Sequence, residues 1–180
     1  ARNMSDAFLP GNGFDTYESQ DRVLICMDGT PACGVAVRIL QQQGFAVAGA
    51  AVRLTAEQAP QAQAAKLAAE KLGIECILLN AEALSGQDLG EGGSPLFAAL
   101  LTAADKLGIQ YVSTAHRARL ETGPDGVSTV CPAVGAGSDD SAVLAALPQE
   151  VLARLILPLG DFAPEDVDEL AKDLKGTETV

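Results

Sequence analysis

Residues 22–44 read RVLICMDGTPACGVAVRILQQQG, and the order of elements in this stretch decides the fold. RVLICM (22–27) is apolar after its first residue and shows no polar alternation, the pattern of a strand buried on both faces. MDGTPACG (27–34) is turn material, and VAVRILQQQG reads as a helix from Val35 closed by Gly44. A strand that gives way at once to a turn and a helix opens a βα unit, and the unit recurs. FAVAGAAVRL (45–54) is a second apolar strand, followed from Pro60 by a helix that Gly73 stops. Within that helix Leu67, Ala68 and Leu72 are expected on the core face. IECILLN (74–80) supplies a third strand, and IQYVSTAH (109–116) a fourth strand with the residues that leave it. Between them, Ser94 is expected to cap a helix whose first residue is Pro95 and whose end is Gly108. The alternation predicts a three-layer α/β sandwich, with a mostly parallel, Rossmann-like sheet covered by helices on both faces.

The remaining segments fit around this frame. AEALSGQDLGEGG (81–93) has no Lys or Arg and reads as a mobile loop, with room for a short helical turn. Residues 117–121 and 127–131 flank TGPDG and are expected to form a hairpin, and the second of them is the candidate for a fifth strand of the sheet. The end is helical from Asp139, from Pro148 and from Pro164. In the last helix Glu165 and Asp166 complement the amino end, Lys172 and Lys175 the carboxyl end, and Val167, Leu170, Ala171 and Leu174 repeat at core spacing. Residues 1–20 carry no sustained period and are expected to be a flexible leader, with residues 21–180 forming a single domain.

Charge narrows the function. Twelve Lys plus Arg face 24 Asp plus Glu, a net charge of -12 across 180 residues. A field of that sign repels phosphate backbones and anionic lipid, so autonomous nucleic-acid binding and membrane binding are both disfavoured. A protein partner or a second copy of the chain is expected instead. Hydrophobic residues make up 48% and aromatic residues only 4%, enough for a core built from Ala, Val, Leu and Ile. The four cysteines, at 26, 33, 76 and 131, form no CxxC pair, so no metal site is expected. With no secretion signal read at the start, reduced thiols in a cytoplasm are the expectation.

Four short phrases carry a family resemblance. MDGTPACGVAV, from Met27, has the position and register of the SGGxDSS loop of PP-loop ATP pyrophosphatases, the adenine nucleotide alpha-hydrolase-like group. STAHRAR (113–119) is similar to the ATGHYAR of the bacterial tRNA-specific 2-thiouridylases, DDS (139–141) to their DQS, and LILPLGDFAPEDVDELAKDL (155–174) to their segment around a PLG motif. The resemblance spans residues 22–175. It implies adenylation of a nucleic-acid carbonyl and then attack by a persulfide-bearing cysteine, with ATP and magnesium as the cofactor the loop would accept.

Against that pattern the loop departs at nearly every position. Asp28 stands at the first Ser, Gly29 is kept, Thr30 replaces the second Gly, Ala32 the Asp, and Cys33 and Gly34 the two Ser. A desolvated, unpaired carboxylate against phosphate oxygens costs several kcal/mol. Pro31 removes one backbone donor from the phosphate nest. The cysteine expected before the helix containing Phe97 is absent from EGGSPLFAAL, and no counterpart of the family's additional carboxy-terminal domains is expected in residues 22–175. The domain is therefore read as a degenerate PP-loop-like unit.

Three functions follow. The first is a non-catalytic subunit or partner-binding module in sulfur or RNA-modification metabolism. The second is a nucleotide-binding protein with altered chemistry, using Asp28, Gly29, Thr30, Cys33, Gly34, His116, Arg117, Arg119 and Asp139; here His116 and the two arginines form a local positive spot. The third is a sulfur-transfer or redox enzyme in which a helix amino terminus lowers the Cys33 pKa. Asp139 and Asp140 are otherwise expected to cap the helix that starts at Ser141.

Overall fold

A computed structural model of the protein describes residues 21–85, 94–135 and 139–178. The expected leader (1–20) and the glycine-rich part of the loop (86–93) lie outside the described residues, as do the side chains of Leu174 and Lys175.

The chain opens with β1 (Arg22–Cys26), α1 (Pro31–Gln42) and β2 (Ala46–Arg53). A 3-10 turn (Ala56–Gln58) leads into α2 (Ala59–Lys71), then β3 (Cys76–Asn80), the short α3 (Glu82–Ser85), α4 (Pro95–Leu107) and β4 (Tyr111–Ser113). β5 (Ala118–Thr122) and β6 (Ser128–Pro132) form the expected antiparallel hairpin, Ala118 opposite Pro132 and Thr122 opposite Ser128. α5 (Ser141–Leu144), α6 (Gln149–Leu152), β7 (Leu155–Ile156) and α7 (Pro164–Glu178) complete the chain.

The main sheet has the order β3-β2-β1-β4-β7, and every pairing in it is parallel. One face carries a core of Val23, Ile25, Cys33, Val37 and Leu159 under α1, α2 and α7. The other carries Leu24, Leu100, Val112 and Leu144 under α4, α5 and α6. This is the three-layer, Rossmann-like, adenine nucleotide alpha-hydrolase-like sandwich that the strand pattern and the resemblance imply. Burial of each large aliphatic side chain contributes about 1.5–3 kcal/mol.

Four details correct the sequence reading. The fifth strand is β7, because residues 128–132 pair only within the hairpin. α1 begins four residues before Val35: Thr30 caps it by accepting the Cys33 N–H (3.2 Å), and Pro31, which lacks an N–H, fits the first turn. In α2 the buried face is Ala62, Ala65, Ala69 and Leu72, while Leu67 is 51% exposed. Small residues bring this helix close to β2 and β3, and the large side chain faces outward. In α7, Val167 is buried but Leu170 lies at the surface.

Candidate functional site

In an open parallel sheet, ligands sit beyond the carboxyl ends of the strands, where the strand order reverses. Here that point lies between β1, with β2 on one side, and β4 on the other. The loop from Met27 to Thr30 leaves β1 at this place, and Gly29 takes a left-handed backbone (φ 80°) that a side chain would disfavour. A cavity of about 540 Å³ opens beside the loop, lined among others by Cys26, Asp28, Gly29, Val52, Leu54 and Leu96. Asp28 is its single charged lining residue among those described.

Asp28 does not face the cavity as a loose charge. Its Oδ1 accepts both the Thr30 backbone N–H (2.9 Å) and the Thr30 hydroxyl (2.7 Å). The same Thr30 hydroxyl oxygen accepts the Cys33 N–H at the start of α1. Donors that would otherwise meet an incoming anion are thus turned onto an anion the chain carries itself. Pro31 contributes no donor, and those of Thr30 and Cys33 are satisfied within the turn.

Cys33, expected near a helix amino terminus, lies within the first turn of α1 because the helix begins at Pro31, and the expectation of an acidified thiol is reversed. Its side chain is fully buried, lies 3.6 Å from the Met27 sulfur, and donates to the Cys26 carbonyl (3.4 Å). Burial, and then the Asp28 charge, push this thiol up. Burial likewise pushes Cys26 up to about 12, with smaller contributions from Asp28 and Cys76. Desolvation of a thiolate outweighs the terminal dipole here.

The positive spot expected from His116, Arg117 and Arg119 is not assembled. The His116 ring lies along Phe97 (centroids 6.5 Å apart, planes at 27°), and its Nδ1 is 2.7 Å from the Thr114 hydroxyl. Arg117 is buried and works inside the fold: Nη2 donates to the carbonyls of Val134 (2.7 Å) and Phe162 (2.8 Å). Arg119 donates from Nε to the Pro132 carbonyl (2.8 Å) and pairs with Glu121 (3.2 Å) across its own strand. Fixed to carbonyls and a carboxylate, neither arginine is presented at the strand ends.

Of the two aspartates, Asp139 alone caps α5. It accepts from the Ser141 N–H (3.3 Å) and hydroxyl (2.6 Å) and from the Ala133 N–H (3.2 Å). The Ser141 hydroxyl bond, with the backbone bonds, holds its carboxyl below the usual range. Asp140 is taken by the Arg117 backbone N–H (2.7 Å) and does not cap. Among the described residues no three His, Cys, Asp or Glu side chains are placed to hold a metal, and no helix is long and apolar enough to cross a membrane.

Sequence reading missed the cavity walls, since Val52 and Leu54 at the end of β2 and Leu96 in α4 lie far apart in the chain and no local pattern links them. It also missed Ser113, whose buried hydroxyl, at the carboxyl end of β4, has no hydrogen-bond partner. A Ser among apolar strand residues was the available signal.

Comparison with known proteins shows what the chain is similar to. The model of the tRNA methyl transferase HUP domain matches residues 96–178, a span that includes His116, Arg117, Arg119 and Asp139 and stops short of the loop at 28–34. The tRNA-specific 2-thiouridylase MnmA of Trichlorobacter lovleyi is 31% identical over 169 residues, covering 81% of this chain and 47% of that protein. The MnmA 3 of Bacteroides fragilis is 32% identical over 184 residues, covering 89% of this chain and 48% of its own length. That of Kineococcus radiotolerans reaches 46% identity over 65 residues, covering 36% of this chain and 18% of its own. The chain spans about half the length of the curated relatives it matches. It is a HUP, PP-loop-like Rossmann domain related to the tRNA-specific 2-thiouridylases, at moderate divergence.

Proposed function

We propose that this relative of the tRNA-specific 2-thiouridylases is a non-catalytic domain that has given up adenylation and cysteine attack. In this reading it acts in the cytoplasm as a subunit or partner-binding module in sulfur or RNA-modification metabolism. The observation that carries the reading is the turn in which Asp28 occupies the loop's own donors through Thr30. Adenylation needs the β- and γ-phosphates held while the α-phosphate is attacked, and a fixed carboxylate at that place opposes them by charge as well as by occupancy. The burial of Cys33 and Cys26 supports the same conclusion, because a thiol held protonated at neutral pH is a poor nucleophile.

The reaction itself gives the test. Incubated with ATP, magnesium, bulk tRNA and a persulfide donor, the protein is expected to release no AMP or pyrophosphate above a no-protein blank. Stoichiometric or catalytic AMP would overturn the reading. A second reading, nucleotide binding with altered chemistry, rests on the cavity of about 540 Å³ beside Asp28, whose size suits a nucleoside. In that reading Gly29, Thr30 and Gly34 shape the approach of the ligand, and ATP with magnesium is bound but not cleaved. The sulfur-transfer reading through Cys33 is the least supported by this geometry.

A further inference from the structure

β3 is an end strand of the main sheet, and no described strand lies beyond it. Its outer edge, which no described strand pairs, can be read from its paired one. The Gly49 N–H reaches the Glu75 carbonyl (2.7 Å) and the Ala81 N–H reaches the Arg53 carbonyl (2.8 Å). Backbone groups alternate along a strand, so residues 75, 77, 79 and 81 direct theirs toward β2, and Cys76, Leu78 and Asn80 direct theirs outward.

Exposed edges of natural sheets are usually blunted by a charge, a proline or a bulge on the strand itself. CILLN has none of these, and its central residue, Leu78, is 48% exposed. An apolar groove of about 410 Å³ runs along the same strand, walled by Ile77, Leu79, Leu84, Ala103 and Leu107.

We propose that this edge pairs antiparallel with the β3 of a second copy, joining two five-stranded sheets into one across a two-fold axis at Leu78. Three features fit a second copy. The strand is close to symmetric about Leu78, so Ile77 of one chain meets Leu79 of the other on the face of the groove, and Leu78 meets Leu78 on the opposite face. Cys76 and Asn80 then exchange backbone hydrogen bonds across the axis. Among the described residues of β3, its flanks and α2 to α4, the charges balance, Arg53, Lys66, Lys71 and Lys106 against Glu70, Glu75, Glu82 and Asp105, with Arg53–Glu82 (2.9 Å) and Lys66–Glu70 (2.8 Å) already paired. Carboxylates are instead concentrated on α7, where Glu165, Asp166, Asp168, Glu169 and Asp173 are all exposed and the helix packs against α1. A chain of net charge -12 can therefore approach its own copy at β3 with little repulsion, and a strongly charged partner gains nothing there.

Sedimentation equilibrium on the intact chain, from about 1 to 500 µM, spans the weak range expected of a small interface. The wild type is expected to dimerise within this window. Leu78→Lys, which places a charge on the edge, should weaken the dimer by at least about tenfold, while Leu170→Lys on α7 should leave it unchanged. Amide exchange at Cys76, Leu78 and Asn80 should slow as wild-type concentration rises, a readout that does not depend on any variant folding. A wild type that stays monomeric, a dimer indifferent to Leu78→Lys, or exchange at the three amides that ignores concentration would each overturn the proposal.

Discussion

Among the several departures of this loop from the SGGxDSS pattern, Asp28 is the one that adds a charge. Asp28 takes the Thr30 N–H and hydroxyl, Thr30 takes the Cys33 N–H, and the three residues form a continuous chain of hydrogen bonds. The substitution was visible in the sequence; its internal partner was not, because a DGT triplet does not say whether its carboxylate turns inward or faces a ligand. Cys33 was misjudged for a related reason. Its nearness to a helix amino terminus was legible, but its burial in the core beside Met27 depends on the whole layer. The consequence is measurable. The folded-state pKa of Cys33 lies above the unfolded value of about 8.5, so below that pH both states hold the proton and stability is unaffected. Above it the unfolded chain ionises first, and stability should fall by up to about 1.4 kcal/mol per pH unit per such thiol. Urea denaturation between pH 7 and pH 10 is expected to show that decline, and Cys33→Ala should reduce the slope by one thiol's share. An unchanged slope in the variant would mean that Cys33 is not shielded as described.

At the scale of elements, chain-local signals succeeded and distant ones failed. Ser94 and Pro95 announced α4, and the Ser94 hydroxyl does accept the Phe97 N–H (3.4 Å). Thr30 and Pro31 carried the same signal for α1, but Gly29 and Gly34 on either side made the stretch read as turn. The hairpin of β5 and β6 was legible from two short runs around TGPDG, whereas β7, with two residues, is defined only by its pairing to β4. What fixes the hairpin onto the sheet comes from far along the chain. Gly160 packs directly on the Ala118 backbone, leaving no room for a Cβ, and its carbonyl accepts the Val134 N–H (2.8 Å). Arg117 adds its bonds to Val134 and Phe162. The PLG motif is thus a joint between hairpin and α7. Gly160→Ala must push two backbones apart, and a loss of about 1–3 kcal/mol or more is expected from overpacking. A lower urea midpoint with an unchanged m-value would report it; a midpoint equal to wild type would show that the joint yields freely.

For the whole molecule, composition and strand pattern were sufficient for the three-layer sheet, because burial on both faces leaves its mark on β1, β2 and β4. The site was only half legible. Its location followed from topology, but the arginines beside His116 proved to be structural, and the cavity walls had no local signature. The charge asymmetry between α7 and the β3 edge likewise emerges only when the helices are in place. Taken together, the loop lies beyond the carboxyl end of β1, where open parallel sheets place ligands, and in the reading proposed above Asp28 occupies the donors an anion would need. Calorimetric titration of the protein with ATP and magnesium, alongside Asp28→Ser, tests that claim most directly. The wild type is expected to give no saturable heat up to about millimolar ATP, the weak limit of useful affinity. Asp28→Ser, which frees the Thr30 donors and removes the repelling charge, should gain measurable binding. Saturable, near 1:1 binding of ATP at micromolar affinity by the wild type, unchanged in Asp28→Ser, would contradict the account.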